Sequence, residues 1–530
     1  MSVSVKFHLT SLGVLTLNEI MYPSQVPIFV YFMDTVAAIC TSSAKVKTNE
    51  MEIFQMICVS NDSKMPLYQQ VYEQIKQEIS NGTLKVGSRL ISTRSLAKNL
   101  CVARNTVENA YAQLCLEGYL LSKPGSGFVV QDIFSDSLDF IKSVDHTINV
   151  KFDPKPPQNS QTEYLYDFQY ANLDHMLFPS TLWRRLTAEA LSSYDSREIC
   201  NYSDKQGDLN LRSEIVKYLR GSRGVRCAPE QIVLCCGTQY ALDVICSLFP
   251  VGSEIAVEEP GYDGAKIVFH KNKFTILPVS VGSDGINMKE LEISSAKLAY
   301  ITPSHQFPTG TVMPVQQRIE LLDWAERRNG TIIEDDYDSE LRYHTKPVPS
   351  LQSIDNHGTV IYMGTFSKSL SPGLRLSYLV LPERLLRKYH EVYEGYYSTV
   401  PWLNQKITTL YMSRGHWDRH LRKVCLEYKK RHDVLVRSIN ELMGNRVRIR
   451  GNNAGLHFIL EFVQGESRDL MIEKAQKHGV RVYSTIQYWH EKEKSQDNCV
   501  FIGFSKMSES MIREGIALLT KAWFDSGVGK

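Results

Sequence analysis

The sequence has almost no excess of charge of either sign: 60 Lys and Arg residues stand against 58 Asp and Glu residues, for a formal net charge of +2. A chain this close to neutral does not bind nucleic acid through its overall charge, so DNA binding needs a local basic patch. Its 530 residues, 43% of them hydrophobic, suffice for two or more domains with a large core.

The sequence also lacks a long uninterrupted hydrophobic run. The apolar stretch 26–40 contains Asp34, is too short to span a bilayer, and lacks the ordered regions of a secretion signal. The 11 cysteines show none of the paired spacings typical of metal sites. We therefore expect no membrane segment, no metal and a reducing compartment, the cytoplasm.

A small helical unit is predicted after residue 65. One apolar residue recurs every four positions from Leu67 to Ile79, which indicates a helix with one apolar stripe. Two further helices are predicted over 93–100 and 104–118, and two short strands then flank a Pro-Gly-Ser turn. Three short helices followed by a hairpin predict a winged helix-turn-helix.

The start of the third predicted helix carries groups that suit DNA. Its first residues, Arg104-Asn105-Thr106, can contact phosphates and base edges at the helix end that enters a major groove. Residues 64–123 contain eight Lys and Arg against four Glu, a modest basic excess of the kind that phosphate contact needs. A generic helical domain with an ordinary charged surface is the alternative.

Residues 66–130 resemble the GntR-type winged helix, with the wing at 124–127. Three positions, Ile91, Cys101 and Ala103, depart from the usual proline, glycine and serine. Ala103 removes a side-chain oxygen that would cap the recognition helix, a loss of about 1 kcal/mol. The resemblance implies DNA contacts by Arg94, Arg104, Asn105, Thr106 and Gly125.

Lys368 is the most informative residue of the remaining chain. It follows the apolar run 359–363 and lies in a loop of small residues, with Thr365 and Arg375 nearby. A lysine in this setting suits a Schiff base with a phosphorylated aldehyde, because the amine condenses with the aldehyde while the hydroxyl and guanidinium hold the phosphate. Taken alone, the lysine is better explained as an exposed loop residue, and the rest of the chain overturns that interpretation.

Three other segments supply partners for such a cofactor. The apolar strand predicted at 330–336 ends in carboxylates, of which Asp335 can face a protonated pyridine nitrogen. The strand predicted at 231–236 leads through a glycine into a helix, and free backbone N–H groups at a helix start form an anion site. A third loop presents Tyr262, which can stack on a cofactor ring.

In this order and spacing, residues 166–524 resemble the fold-type I pyridoxal-phosphate (PLP) enzymes, the aspartate aminotransferase superfamily. The resemblance implies an α/β domain with a mostly parallel seven-stranded sheet and a small C-terminal α/β domain. It also implies a head-to-tail homodimer in which Tyr202 reaches the phosphate of the neighbouring subunit. The implied cofactor residues are Lys368, Asp335, Tyr337, Tyr262, Thr238, Gln239, Thr365, Arg375 and Tyr202, with Lys368 the catalytic residue.

Two positions depart from the aminotransferase pattern. Phe307 replaces the asparagine that hydrogen-bonds the ring oxygen, and His305 or Gln306 is the candidate substitute. Phe501 stands where the arginine for the substrate carboxylate is usual, and a phenylalanine cannot bind a carboxylate bidentately. Ordinary amino-acid transamination is therefore in doubt.

A GntR-type reader joined to an aminotransferase-like domain resembles the MocR-type regulators. Residues 1–64 are expected to be a disordered extension or a misassigned start. Residues 65–130 form the DNA-binding domain and 131–165 a linker, acidic and then proline-rich. Residues 166–526 form the PLP-binding domain.

This resemblance implies a PLP-dependent transcriptional regulator whose large domain senses an effector and dimerises. The expected partners are a double-stranded DNA operator and either PLP or an amine or amino-acid effector, and Phe501 favours PLP itself. The alternative is an active aminotransferase with a vestigial DNA-binding head. A constitutive DNA-binding scaffold is a third hypothesis, disfavoured because the cofactor residues are all present.

Overall fold

The computed structural model describes residues 57–124, 127–132, 164–170, 172–343, 348–464 and 466–524. Contacts divide the chain into two compact units, Met1–Pro157 and Gln158–Lys530. Most of the predicted extension and of the predicted linker lies outside the described residues, as does the wing residue Gly125. Within the described ranges, none of the helices has both the length and the apolar character needed to cross a membrane.

The described residues of the first unit form three helices and a hairpin, which confirms the winged helix-turn-helix prediction. The predicted stripe on the first helix is buried, with Val71 and Ile75 fully inaccessible. Ile57 belongs to the same core, so residues before the predicted boundary at 65 also pack on the reader. The elements are α1 (Leu67–Ser80), α2 (Thr93–Asn99), α3 (Arg104–Leu116), β1 (Leu120–Lys123) and β2 (Gly127–Val130).

Helix α3 begins without a side-chain cap. Ala103 occupies the N-cap position in an extended conformation, and only its backbone carbonyl accepts a hydrogen bond, from the N–H of Thr106 at 3.0 Å. Helix α2 shows the contrast, because the hydroxyl of its N-cap Ser92 accepts from the N–H of Ser95. The end of α3 that bears the predicted DNA contacts thus lacks one stabilising interaction.

Replacing Ala103 by serine is expected to stabilise the start of α3 by about 1 kcal/mol, because the new oxygen satisfies an N–H group of the first turn. Hydrogen exchange at Asn105 and Thr106 should slow about fivefold. The exposed mid-helix Ala112→Ser is the matched control, and it should slow neither amide. Equal exchange in both variants would contradict the missing-cap interpretation.

The second unit is an α/β domain followed by a smaller α/β domain. Its helices are α4 (Ser180–Ser193), α5 (Ser196–Ile199), α6 (Leu209–Arg223), α7 (Thr238–Ser247), α8 (Asp263–Lys271), α9 (Met288–Ile293), α10 (Val315–Arg327), α11 (Leu351–Ile354), α12 (Glu383–Val392), α13 (Trp402–Ser413), α14 (His416–Met443), α15 (Arg468–Lys477) and α16 (Glu509–Phe524). Its strands are β3 (Tyr166–Asp167), β4 (Ile232–Cys235), β5 (Glu254–Glu259), β6 (Thr275–Gly282), β7 (Gly285–Ile286), β8 (Leu298–Ile301), β9 (Thr331–Asp336), β10 (Val360–Thr365), β11 (Ser377–Val380), β12 (Val447–Arg450), β13 (His457–Phe462), β14 (Val480–Arg481), β15 (Tyr483–Ser484) and β16 (Cys499–Gly503).

The large sheet has the strand order β4-β11-β10-β9-β8-β5-β6-β7. The pairs from β10 through β6 are parallel, whereas β11 runs antiparallel to both of its neighbours. The eighth strand, β7, is a two-residue hairpin extension of β6 that the seven-strand prediction did not include. Helices and apolar clusters cover both faces, as buried parallel strands require.

The strand directions place the functional loops at one edge of the sheet. Strands β4, β5, β8, β9 and β10 all point the same way, so the loops after them lie together. Ligands in open α/β sheets bind outside the carboxyl ends of the strands, because the helix starts and strand ends meet there.

The smaller domain is built on the antiparallel sheet β12-β13-β16-β15. Before it in the chain, the short strand β3 pairs in parallel with β14 of this domain. The segment 164–170 therefore joins the smaller domain although it precedes the whole large sheet in sequence.

A buried ion pair joins α6 to β9. The Nε atom of Arg223 donates to Oδ2 of Asp336 at 2.7 Å, and both side chains are almost fully buried. Arg223 also donates to the Ser304 hydroxyl at 2.6 Å and to the Val348 carbonyl. Burial alone would raise the pKa of Asp336, but Arg223 beside it brings that pKa below its ordinary value.

Candidate functional site

A cavity of about 280 Å³ lies at the carboxyl edge of the large sheet. It brings together eight of the nine predicted cofactor residues, although they come from four separate segments of the chain. Five other residues share its wall: Tyr170, Thr302, Phe307, Ser367 and Pro372. The eight are Thr238, Gln239, Tyr262, Asp335, Tyr337, Thr365, Lys368 and Arg375.

One end of the cavity is a cup suited to an anion. Thr238 is the first residue of α7, whose N-cap is Gly237, so the free N–H groups of this helix start face the same region. Arg375 has φ +50°, a conformation unusual for a non-glycine residue. A Cβ on Gly237 would lie 2.2 Å from Nη2 of Arg375, so only glycine permits this close approach. The hydroxyl of Thr365 completes the cup.

Lys368 lines the same cavity, and its amine lies against an aromatic ring. Its Nζ atom is 3.7 Å from the centroid of the Tyr170 ring. Burial lowers the pKa of Lys368 to about 8, against the opposing effect of the Asp338 and Asp335 carboxylates. An appreciable fraction of the amine is therefore neutral near pH 7, as attack on an aldehyde requires.

Asp335 has one satisfied and one unsatisfied oxygen. The Tyr300 hydroxyl donates to Oδ2 at 2.6 Å, whereas Oδ1 is buried without a hydrogen-bond partner among the described residues. Burial raises the pKa of Asp335 to about 7, although the bond from Tyr300 acts in the opposite direction. A protonated pyridine nitrogen is a cationic donor that would satisfy Oδ1 and keep the carboxylate charged. These residues fit pyridoxal phosphate.

An aromatic cluster contains Phe307, which lines the cavity, and Phe501, which does not line it and replaces the usual substrate arginine. Phe501 is 1% exposed, and its ring packs 4.8 Å from that of His457 and 5.3 Å from that of Tyr488. Phe307 packs in the same cluster, 5.9 Å from Phe501. Neither phenylalanine offers a cationic partner to a carboxylate.

The two candidate substitutes for the missing asparagine do not line the cavity. The amide nitrogen of Gln306 donates to backbone carbonyls, and its oxygen accepts from Thr309, so its capacity is used within the loop. His305 lies one layer back, where Nδ1 is 2.9 Å from Oδ2 of Asp338 and 3.0 Å from the hydroxyl of Tyr337. Tyr337 itself does line the cavity.

Tyr202 lies outside the cavity. Its side chain is 79% exposed and stacks on Tyr397 with ring centroids 4.2 Å apart. Its role toward the phosphate of a neighbouring subunit stays a prediction.

The reader unit places its predicted DNA contacts at two neighbouring helix starts. Arg94 is exposed in the first turn of α2, while Arg104 and Asn105 are exposed in the first turn of α3 and Thr106 is half-buried there. The Nε atom of Arg104 donates to Glu108 at 2.7 Å, a weak exposed pair that DNA phosphates can replace.

Comparison with known proteins agrees with both units. Residues 67–130 match the family "Bacterial regulatory proteins, gntR family" and residues 169–517 match "Aminotransferase class I and II". The HTH-type transcriptional regulator YdeL of Bacillus subtilis (strain 168) is 39% identical over 87% of this chain and 97% of its own length. The probable rhizopine catabolism regulatory protein MocR of Rhizobium meliloti is 32% identical over 88% and 96%.

A solved structure shows the same large-domain fold. The crystal structure of an archaeal alanine:glyoxylate aminotransferase covers 69% of this chain and 92% of its own, with a TM-score of 0.63 at 24% identity. The matches to the DNA-binding unit, to the cofactor domain and to full-length regulators therefore agree. The chain belongs to the MocR-type transcriptional regulators, in which a GntR-type DNA-binding unit is joined to an aminotransferase-like domain that binds pyridoxal phosphate.

Proposed function

We propose that PLP attached to Lys368 controls how the reader unit, residues 65–130, binds its operator. The observation that carries this proposal is the cavity that gathers Lys368, Asp335 and the anion cup in the same chain as a winged helix-turn-helix. PLP supplies an aldehyde and an electron-withdrawing ring when bound.

The chain's own residues divide the work of holding the cofactor. Lys368 provides the amine, and Asp335 holds a proton on the ring nitrogen through its unpartnered Oδ1. The cup of Thr238, Gln239, Thr365 and Arg375 binds the phosphate. The rings of Tyr262 and Tyr337 line the remaining wall and exclude water from the amine.

The regulatory step is a difference in binding free energy between two arrangements of the reader heads. An effector shifts this equilibrium only as far as its affinities for the two arrangements differ. A head-to-tail homodimer in the cytoplasm, with Tyr202 at the subunit boundary, brings two heads to one operator.

The effector most compatible with Phe307 and Phe501 is PLP itself or an amine without a carboxylate. Phe307 lines the cavity and Phe501 packs against it, and neither offers a positive charge, so an α-amino acid would lack the usual partner for its carboxylate. The same argument disfavours efficient transamination, which is the alternative function.

The test is a titration of the chain's own upstream DNA with cofactor-free and PLP-loaded protein. We expect the loaded protein to differ from the cofactor-free protein by at least about tenfold in operator affinity or by a changed footprint. Lys368→Ala should behave as the cofactor-free protein at any PLP concentration, because the covalent attachment is lost.

The cofactor absorbance, recorded in parallel, decides between the hypotheses. Equal operator affinity and footprint in the loaded wild type and in Lys368→Ala would refute a cofactor-controlled regulator. Attached cofactor together with steady keto-acid production and no specific DNA binding would support the aminotransferase alternative.

A further inference from the structure

The amine of Lys368 contacts the aromatic ring of Tyr170. The Nζ atom lies 3.7 Å from the ring centroid, which is the contact distance of an ammonium on a π-face. Tyr170 belongs to no motif of the cofactor site and was not predicted from the sequence. It nevertheless lines the same cavity as the predicted residues.

The backbone holds this ring in place from the smaller domain. The N–H of Gly503 donates to the Phe168 carbonyl at 2.7 Å, and the Ser505 hydroxyl donates to the Asn172 carbonyl at 2.5 Å. A Cβ on Gly503 would lie 2.5 Å from the Cα of Tyr170, so a side chain there would push the segment away. The ring also packs edge-on against His457, 4.8 Å between centroids.

The surroundings of the amine favour a positive charge on that face. Asp338 and Asp335 are both buried and both act to raise the pKa of Lys368. The π-face is negative, so ring and carboxylates act in the same direction. Burial opposes them, because it disfavours the charged amine.

We propose that Tyr170 is the positioning residue that receives the ammonium of Lys368 when an amine effector displaces the lysine from the cofactor. This inference rests on the proposed function, since it assumes that PLP is attached to Lys368. It gives Tyr170 control over how readily an amine acts as effector.

The displacement balances without an oxidant or reductant. The nitrogen of the incoming amine forms a bond to the aldehyde-derived carbon of the cofactor, and the bond from that carbon to Nζ of Lys368 breaks. Two of the three protons on the incoming ammonium pass to Nζ, which leaves as an ammonium. Whatever stabilises this ammonium favours the displacement.

Loss of the ring is therefore expected to change two quantities in opposite directions. Tyr170→Leu should weaken displacement by methylamine roughly tenfold, because the released ammonium loses a desolvated cation–π contact. The same change lowers the pKa of Lys368 from about 8, so more of the amine is neutral at pH 6. Capture of added PLP by the cofactor-free protein at pH 6 should then become roughly tenfold faster.

Both quantities have direct readouts. Borohydride reduction followed by mass spectrometry gives the fraction of Lys368 that carries cofactor at each methylamine concentration. The change in PLP absorbance on mixing gives the capture rate. Phenylalanine and progressively fluorinated phenylalanines at position 170 keep the ring shape while weakening its negative face. Tyr170→Phe should stay within about threefold of wild type, and fluorination should move both quantities stepwise toward the leucine values.

Tyr488→Leu is the matched control, because it removes a tyrosine ring from the same aromatic cluster, but not the ring under Lys368. Tyr488→Leu should not combine weaker displacement by methylamine with faster capture of PLP. A flat fluorinated series, or both quantities falling together in Tyr170→Leu, would overturn the role of Tyr170. Absence of cofactor on Lys368 in the reduced wild type would instead refute the proposed function itself.

Discussion

Replacing Arg223 by methionine is expected to lower the free energy of unfolding of the cofactor domain by about 3–5 kcal/mol. The substitution leaves the Asp336 carboxylate buried with no cationic partner, and it removes a donor to Ser304. All six tryptophans lie between residues 183 and 523, so tryptophan fluorescence during urea unfolding reports on this unit alone.

The control and the pH dependence sharpen this prediction. Arg220→Met, at an exposed position of the same helix, should stay within about 0.5 kcal/mol of wild type. In the native protein the pKa of Asp336 is below its ordinary value, so its stabilising contribution is present above about pH 4 and is lost only below it. In the variant, burial raises that pKa, so the deficit should shrink from pH 8 toward pH 5. Equal deficits in the two variants would contradict the buried-pair interpretation.

Replacing Gly237 by alanine is expected to weaken PLP binding about 100-fold, the equivalent of about 2.7 kcal/mol. The added Cβ would lie 2.2 Å from Nη2 of Arg375 and 2.6 Å from its Cζ, so the guanidinium must shift from this position. This shift would disrupt the charge-assisted hydrogen bond to the phosphate that we propose for Arg375, and φ +87° adds backbone strain. Titration of cofactor-free protein with PLP, followed by absorbance, measures the affinity.

Gly252→Ala separates these two effects. Gly252 also has a positive φ, +84°, but a Cβ there would have no atom within 4 Å. The Gly252→Ala variant should therefore lower the free energy of unfolding through backbone strain, and its PLP affinity should stay within about twofold of wild type. If both glycine variants bound PLP equally well, Arg375 would not be a phosphate ligand.

The elements whose residues carry their own periodic or local signal were predictable from the sequence. The apolar stripe of α1, the strand β9 that carries Asp335 and the strand β10 that leads to Lys368 each have a pattern that depends on near neighbours. Because the strands were predicted to be parallel, their carboxyl ends and the loops that follow them were expected at the same edge of the sheet. The missing cap at Ala103 was also predictable, because an N-cap side chain bonds only within the first turn of its own helix.

The remaining features depend on contacts between distant parts of the chain. Tyr170 enters the site only because Gly503, more than 300 positions later, leaves room for its backbone. His305 and Gln306 are the candidate substitutes for the missing asparagine, but His305 contacts Asp338, Gln306 bonds to nearby backbone, and Phe307 is the residue of this loop that lines the cavity. No local pattern distinguishes these outcomes.

The pairing of β3 with β14 has a thermodynamic consequence. After the linker, the first stretch of chain held in a sheet is Tyr166–Asp167, and only two residues separate that strand from Tyr170, whose ring lies against Lys368. If displacement of the lysine alters the operator affinity through this segment, operator DNA must alter the amine affinity by the same factor, because linkage between two binding equilibria is reciprocal. The promoter is then itself an effector of the cofactor site, and a regulator on its operator responds to a different amine concentration from one free in solution.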